Sequence, residues 1–183
     1  MPMKQFLSAA CCALLAFSAA AQRAKPPTGS GCEGKPLDCV ATLPVFDFGR
    51  RTMDPETPPI HGINSVSVTC TRAPQANGHT VEVRYTLKAE PAEPTRSMRS
   101  RDLGSLSYLR YYLFLDPART RQWGDGLQFG TFAIEDRMLL DDRNRTVTRS
   151  HVIYGTVDGY QAVSPAPFLG AVVNRLQYEF LCT

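Results

Sequence analysis

The residues with chemical capacity in this 183-residue chain are six cysteines, three histidines and a Gly-Asp-Gly turn beside the single tryptophan. An activated serine of the hydrolase type would sit in a Gly-x-Ser-x-Gly elbow, and the chain has none. His61, His79 and His151 are isolated from one another and match no His-Glu-x-x-His pattern, so each reads as a surface or packing residue. A zinc site would want close Cys and His pairs, whereas Cys32 and Cys39 are seven apart with no histidine near them. Asp125, between Gly124 and Gly126, offers a cation one carboxylate, and a turn that needs positive φ at glycine accounts for this segment better. Asp141-Asp142-Arg143-Asn144 reads as a solvated loop, and Asn144-Arg145-Thr146 fits the glycosylation acceptor pattern. The expectation is a non-enzymatic protein with no catalytic residues, no cofactor and no metal.

The cysteines have a structural reading once the N-terminus is considered. Lys4 precedes an apolar run from Phe6 to Ala20, and Ala19-Ala20-Ala21 before Gln22 forms a small-residue cleavage site, so residues 1–21 are expected to be an export signal. A lipoprotein reading at Cys11 fits less well, because Ser8 stands where a leucine is wanted and cleavage there would halve the apolar run. The run is shorter than the roughly 20 apolar residues that span a membrane, and no other stretch is long and apolar enough. The mature chain is therefore expected outside the cytoplasm, not membrane-spanning. Cys11 and Cys12 leave with the signal; Cys32, Cys39, Cys70 and Cys182 remain, an even number that reads as two disulfides with three connectivities open. Removing Lys4 leaves 19 basic against 17 acidic groups, which gives no electrostatic argument for a nucleic-acid partner. Clusters such as Arg96, Arg99 and Arg101 read as a solvated face or loop.

What must position these residues is β-structure. Gln22 to Asp38 is rich in Pro and Gly and reads as an irregular arm, and 39–183 as one domain. Val40 to Phe48 is strand-like. Val66, Val68 and Cys70 alternate with Ser65, Ser67 and Thr69, and Val81, Val83, Tyr85 and Leu87 with Glu82, Arg84, Thr86 and Lys88, the period-two pattern of half-buried strands. Pro91 to Asp102 reads as a polar loop. Leu106 to Leu115 is apolar on both faces, as a central strand would be, and the turn Trp123-Gly124-Asp125-Gly126 follows, with Trp123 expected in the core or its rim. Leu127 to Ile134 is a candidate strand and Glu135 to Arg145 a charged segment. Val147 to Val157 and Ala171 to Cys182 are strands, the last with Leu176, Tyr178, Phe180 and Cys182 on one face. About seven strands and no amphipathic helix outside the signal predict an all-β sandwich.

In order along the chain, Cys39 with Phe46-Asp47-Phe48-Gly49, Val66-Ser67-Val68-Thr69-Cys70, the strand Leu106 to Asp116, Trp123-Gly124-Asp125-Gly126, Tyr154-Gly155, Gln161 and Val172 to Phe180 resemble the motifs of the spore coat protein U domain family. That family includes secreted pilus subunits of the archaic chaperone–usher type. The resemblance implies an immunoglobulin-like sandwich lacking its last strand, completed by a strand from a neighbour. It implies as partners a periplasmic chaperone, an outer-membrane usher and neighbouring subunits, and a place at the cell surface in adhesion and biofilm formation. The acceptor groove is expected beside the closing strand, at Val172, Leu176, Tyr178 and Phe180. The resemblance also implies a Cys39–Cys70 disulfide between adjacent strands, which leaves Cys32 for Cys182. Two departures stand out. Pro165-Ala166-Pro167-Phe168-Leu169-Gly170 replaces the family's Pro-Gly-x-Tyr-x-Asp turn. Gln22 to Asp38 has only Ala24 and Leu37 as non-proline apolar side chains, and Pro26 and Pro27 cannot donate to a ladder. The chain thus looks equipped to accept a strand and poorly equipped to give one, as a distal subunit would be. The alternative is a self-contained secreted domain that recognises a ligand through its loops.

Overall fold

The computed structural model describes residues 22–23, 37–43, 48, 55–76, 78–90, 95–100, 107–128, 130–161, 168–169 and 172–183. The expected export signal, Cys32 and most of the arm lie outside them. Twelve strands are assigned: β1 (Gln22–Arg23), β2 (Leu37–Thr42), β3 (Ile60–Arg72), β4 (Val81–Glu90), β5 (Arg96–Ser100), β6 (Tyr108–Phe114), β7 (Gln122–Trp123), β8 (Thr131–Phe132), β9 (Ile134–Leu140), β10 (Thr146–Val157), β11 (Phe168–Leu169) and β12 (Val173–Cys182). Four of them are only two residues long. One 3-10 turn, Pro74–Ala76, is the only helical segment among the described residues.

The strands form the two sheets of a sandwich. The larger runs β1-β2-β3-β10-β6-β5-β11, with β7 beside β6 and β8 beside β7; the smaller runs β12-β4-β9. Every pair is antiparallel except β7 with β8. The alternation predicted for β3 and β4 is present in the burial, and β10 alternates from His151 onward. Val66, Val68 and Cys70 of β3 and Val81, Val83, Tyr85 and Leu87 of β4 face one another across the core, joined by Leu113, Met138, Leu140, Ile153 and Leu176. β6 lies between β10 and β5, as its aromatic character required.

The pattern misleads in four places. Pro91 to Asp102, read as a loop, contains β5. Its inward positions are Arg96, Met98 and Ser100, of which Arg96 and Ser100 are buried and Met98 packs against the core, so an inward arginine hid the alternation. Glu135 to Arg145, read as a charged segment, is largely β9, where Ile134, Met138 and Leu140 are buried and Asp136 takes the inward position between them. The strand expected over Leu127 to Ile134 is displaced: Leu127 lies exposed in a turn, and only Thr131–Phe132 and the start of β9 are extended. At the N-terminus, β2 begins at Leu37, and Gln22–Arg23 pairs with Val40 and Ala41 of β2 inside what reads as an irregular arm.

Cys39 and Cys70 face each other in the β2–β3 register and are disulfide-bonded, with their Cα atoms 4.1 Å apart and both residues fully buried. The bond closes a segment with a sequence separation of 31. In the chain-entropy model such a loop restrains the unfolded state by about 3.5–4 kcal/mol. The pair Cys39→Ala and Cys70→Ala should lower unfolding stability in urea by about that amount, and a loss below about 1 kcal/mol would show that the unfolded chain is restrained by other means.

Candidate functional site

β12 is an edge strand. β4 pairs with it from Val173 to Cys182, and no described strand pairs with its other side. Its inner face carries Asn174, Leu176, Tyr178 and Cys182, all buried, with Phe180 and the preceding Val172 half-buried against the same core; Arg175, Gln177 and Glu179 point to solvent. The four positions read from the sequence as a groove edge therefore lie in one inward row. β1 and β2 of the other sheet approach this strand. Burial and the Asp38 carboxylate on β2 push the Tyr178 hydroxyl up in pKa, against the Cys39 amide that draws it down. That hydroxyl has no acceptor for its own proton, and Oδ1 of buried Asn174 is likewise without a hydrogen-bond partner. Unsatisfied buried polar groups are costly, and both of these lie on the strand whose outer side no described strand pairs. Asn174 was not visible as a site residue, because a polar side chain interrupts the apolar row. Cys182 is disulfide-bonded, and its partner lies outside the described residues.

The Trp-Gly-Asp-Gly segment stands between the sheets. Trp123 is fully buried and its indole N–H donates to the Leu87 carbonyl of β4 at 3.2 Å. Gly124 accepts from the Ala89 amide of β4 at 3.0 Å and donates to the Phe132 carbonyl at 2.9 Å. The buried Arg96 side chain of β5 donates to the Trp123 carbonyl at 2.8 Å. Asp125 Oδ1 accepts from the amides of Leu127 and Gln128 at 2.9 and 3.0 Å and from the Thr131 hydroxyl at 3.2 Å. The carboxylate is thus occupied in holding the turn, and those bonds keep its pKa low. Gly126 has φ +74°, as the turn reading expects, whereas Gly124 is required by space: a Cβ there would meet Thr131 Cβ at 2.6 Å.

A third group joins the sheets at the β9 side. The Tyr85 hydroxyl of β4 lies 2.7 Å from Nε2 of His151 on β10 and donates to Asp136 Oδ2 at 3.3 Å. The Tyr85 and His151 rings pack edge-on with centroids 6.0 Å apart. Burial raises the Tyr85 pKa, with Asp136 adding to the rise and Arg149 opposing it. Burial lowers that of His151, against the pull of Asp136 and with the help of Arg149. This is a packing contact made from polar groups, in keeping with the reading of His151 from sequence.

The Spore Coat Protein U domain model matches residues 30–173 of the chain. No curated protein matches it.

Gly124→Ala should destabilise the fold by about 1–3 kcal/mol, the usual range for overpacking, read as a lower urea midpoint; an unchanged midpoint would mean that Thr131 can move away. His151 favours its neutral form in the fold, so the contribution it makes is complete above its unfolded pKa of about 6.5 and is lost as pH falls below that value. The urea midpoint should therefore drop between pH 8 and pH 5.5, and His151→Gln should flatten that part of the profile. An equal drop in the variant would assign the pH dependence to other groups.

Proposed function

The chain belongs to the Spore Coat Protein U domain family, and on that footing we propose that it is a structural subunit of a surface fibre that accepts a β-strand along the free edge of β12. The family is linked to pilus-type surface proteins of the chaperone–usher kind. It is a structural family and not an enzymatic one, and the Cys39–Cys70 disulfide fits an exported protein. Among the described residues no helix is long and apolar enough to cross a membrane.

The observation that carries the reading is the edge itself. β12 buries its apolar row and its two unsatisfied polar groups, yet presents unpaired backbone N–H and C=O groups along one side among the described strands. Such an edge is a template for another chain, and a strand added there gains main-chain hydrogen bonds for affinity and side-chain pockets for specificity. A periplasmic chaperone would supply that strand first and a neighbouring subunit, delivered through an outer-membrane usher, afterwards.

The N-terminal segment supports acceptance over donation. Leu37, one of its two non-proline apolar side chains, is buried within this chain's own β2, and Gln22–Arg23 is paired to that same strand. Pro26 and Pro27 offer no N–H to a partner. We assign Cys182 to Cys32, which would tether the segment to the end of β12 and keep it from reaching a neighbour. A chain of this kind suits the distal end of a fibre.

The test is the solution mass of residues 22–183, exported to an oxidising periplasm with and without a co-expressed archaic-type chaperone and measured by light scattering. Recovery only as a one-to-one complex is the expected result. A stable, monodisperse monomer made alone would overturn strand acceptance and favour a self-contained domain that binds a ligand through its loops.

A further inference from the structure

β3 and β10 pair along twelve residues, from Thr71 opposite Thr146 to Ile60 opposite Val157. Side chains alternate between the faces of a strand, and the buried set on β3 is Val66, Val68 and Cys70, so Ser65, Ser67, Thr69 and Thr71 lie on the outer face. Opposite them on β10 lie Val152, Ser150, Thr148 and Thr146. Three successive facing pairs are hydroxyl pairs bonded to each other: Ser67 with Ser150 at 2.9 Å, Thr69 with Thr148 at 2.9 Å and Thr71 with Thr146 at 3.2 Å. At the far end His61 Nδ1 meets the Thr156 hydroxyl at 3.1 Å. Between these ends the face is apolar, with Ile63 69% and Val152 48% exposed and Tyr154 beside Ile63. Tyr112 and Phe114 of β6 continue it, their ring centroids 6.3 Å apart. In a chain that is 20% charged, none of the outward positions on β3 from His61 to Thr71 or on β10 from Thr146 to Thr156 carries Asp, Glu, Lys or Arg.

We propose that this outer face binds a neutral polysaccharide chain. Covering a charge is expensive unless it is paired, so a face without charges is the one that a neutral polar partner can cover at low cost. Each hydroxyl pair uses one proton in its internal bond and leaves one O–H donor and several lone pairs outward. The pairs recur every second residue, a step of about 6.6–6.8 Å along the strand, and offer a regular row of neutral donors and acceptors. Sugar hydroxyls have that same chemistry, while the C–H faces of sugar rings suit the apolar stretch of Ile63, Val152 and Tyr154. An anionic polymer would be met by unpaired arginine, whereas Arg110, outward on β6 two residues from Tyr112, is ion-paired with Asp158 at 3.6 Å, and at the other end of the face Asp38 of β2 lies opposite Thr71. A protein partner would be held at a centre of large apolar side chains, whereas half of this face is hydroxyl. The proposal does not depend on strand acceptance, because β3 and β10 are both internal to the larger sheet.

The probe is unsubstituted cellulose, with carboxymethylated cellulose as the anionic control, in a sedimentation assay on the exported protein, free or as its chaperone complex. Retention on the neutral polymer should survive high salt. Thr69→Val with Thr148→Val keeps strand propensity and shape but removes one hydroxyl pair, and should weaken retention at least threefold. Thr69→Lys with Thr148→Glu places opposite charges across the sheet, which preserves pairing, and should weaken it at least tenfold. Leu139→Lys, on the outer face of β9 in the smaller sheet, should leave it unchanged. Four results would each overturn the proposal: no retention, retention equal in all variants, preference for the anionic polymer, or self-association in light scattering that the Thr69/Thr148 variants abolish. The last would assign the face to a second copy of the chain.

Discussion

Trp123 and Gly124 hydrogen-bond to both sheets at once, and much of the sandwich follows from that. Gln122 pairs with Phe114 in the larger sheet. One and two residues later the chain exchanges bonds with Leu87 and Ala89 in the smaller one. Packing of apolar faces is non-directional and would allow two sheets to slide over each other. A short backbone crossing with a buried indole N–H on a named carbonyl does not. The requirement propagates outward. Gly124 has no room for a side chain because Thr131 closes the turn. Asp125 Oδ1 accepts three bonds from the turn, and Arg96 is buried where it meets the Trp123 carbonyl.

The same joint explains which strands could be read from sequence. β3, β4 and β12 bury apolar side chains at most inward positions, so their period-two pattern is visible without a structure. β5 and β9 each direct a charged residue inward to a bond within its own sheet: Arg96 to the Trp123 carbonyl of β7, and Asp136 to the Tyr85 hydroxyl of β4, which in turn meets His151 of the other sheet. A pattern rule that equates charge with solvent must call such strands loops. The inference could have run the other way, since a lone arginine or aspartate inside an otherwise alternating run, within reach of a buried aromatic, marks a bonded core position. The apolar row of the closing strand was legible from Leu176 to Cys182. Its most unusual member, Asn174, whose Oδ1 lacks a hydrogen-bond partner, was not, because nothing in a single sequence says that a polar atom is buried without one.

The two sides of the molecule then divide the work. On the small sheet no described strand pairs with the outer side of β12, and association there would be governed by main-chain bonds and by what fits the inner row of side chains. The approach of β1 and β2 to that strand, with Asp38 beside Tyr178, places the chain's own N-terminal segment close to the entry of any incoming strand. The described part of the N-terminal segment and the outer side of β12 thus lie near each other in one chain. The proline pair and the commitment of Leu37 to β2 weigh against the segment serving as donor to another molecule.

β3 and β10 lie inside the larger sheet, whereas β12 lies at an edge of the smaller one. β3 and β10 are paired on both sides, so their backbone offers nothing to a partner, and any recognition there must use side chains. Cross-strand hydroxyl pairs add to sheet stability, yet a single pair would serve that end, and alternating charges would serve solubility better. Three consecutive pairs on an uncharged face are more than pairing requires. A subunit whose edge is filled by its neighbour would still present this face to the surroundings, because strand addition at β12 and contact at β3–β10 use opposite sheets. Assembly and surface recognition would then not compete for the same residues.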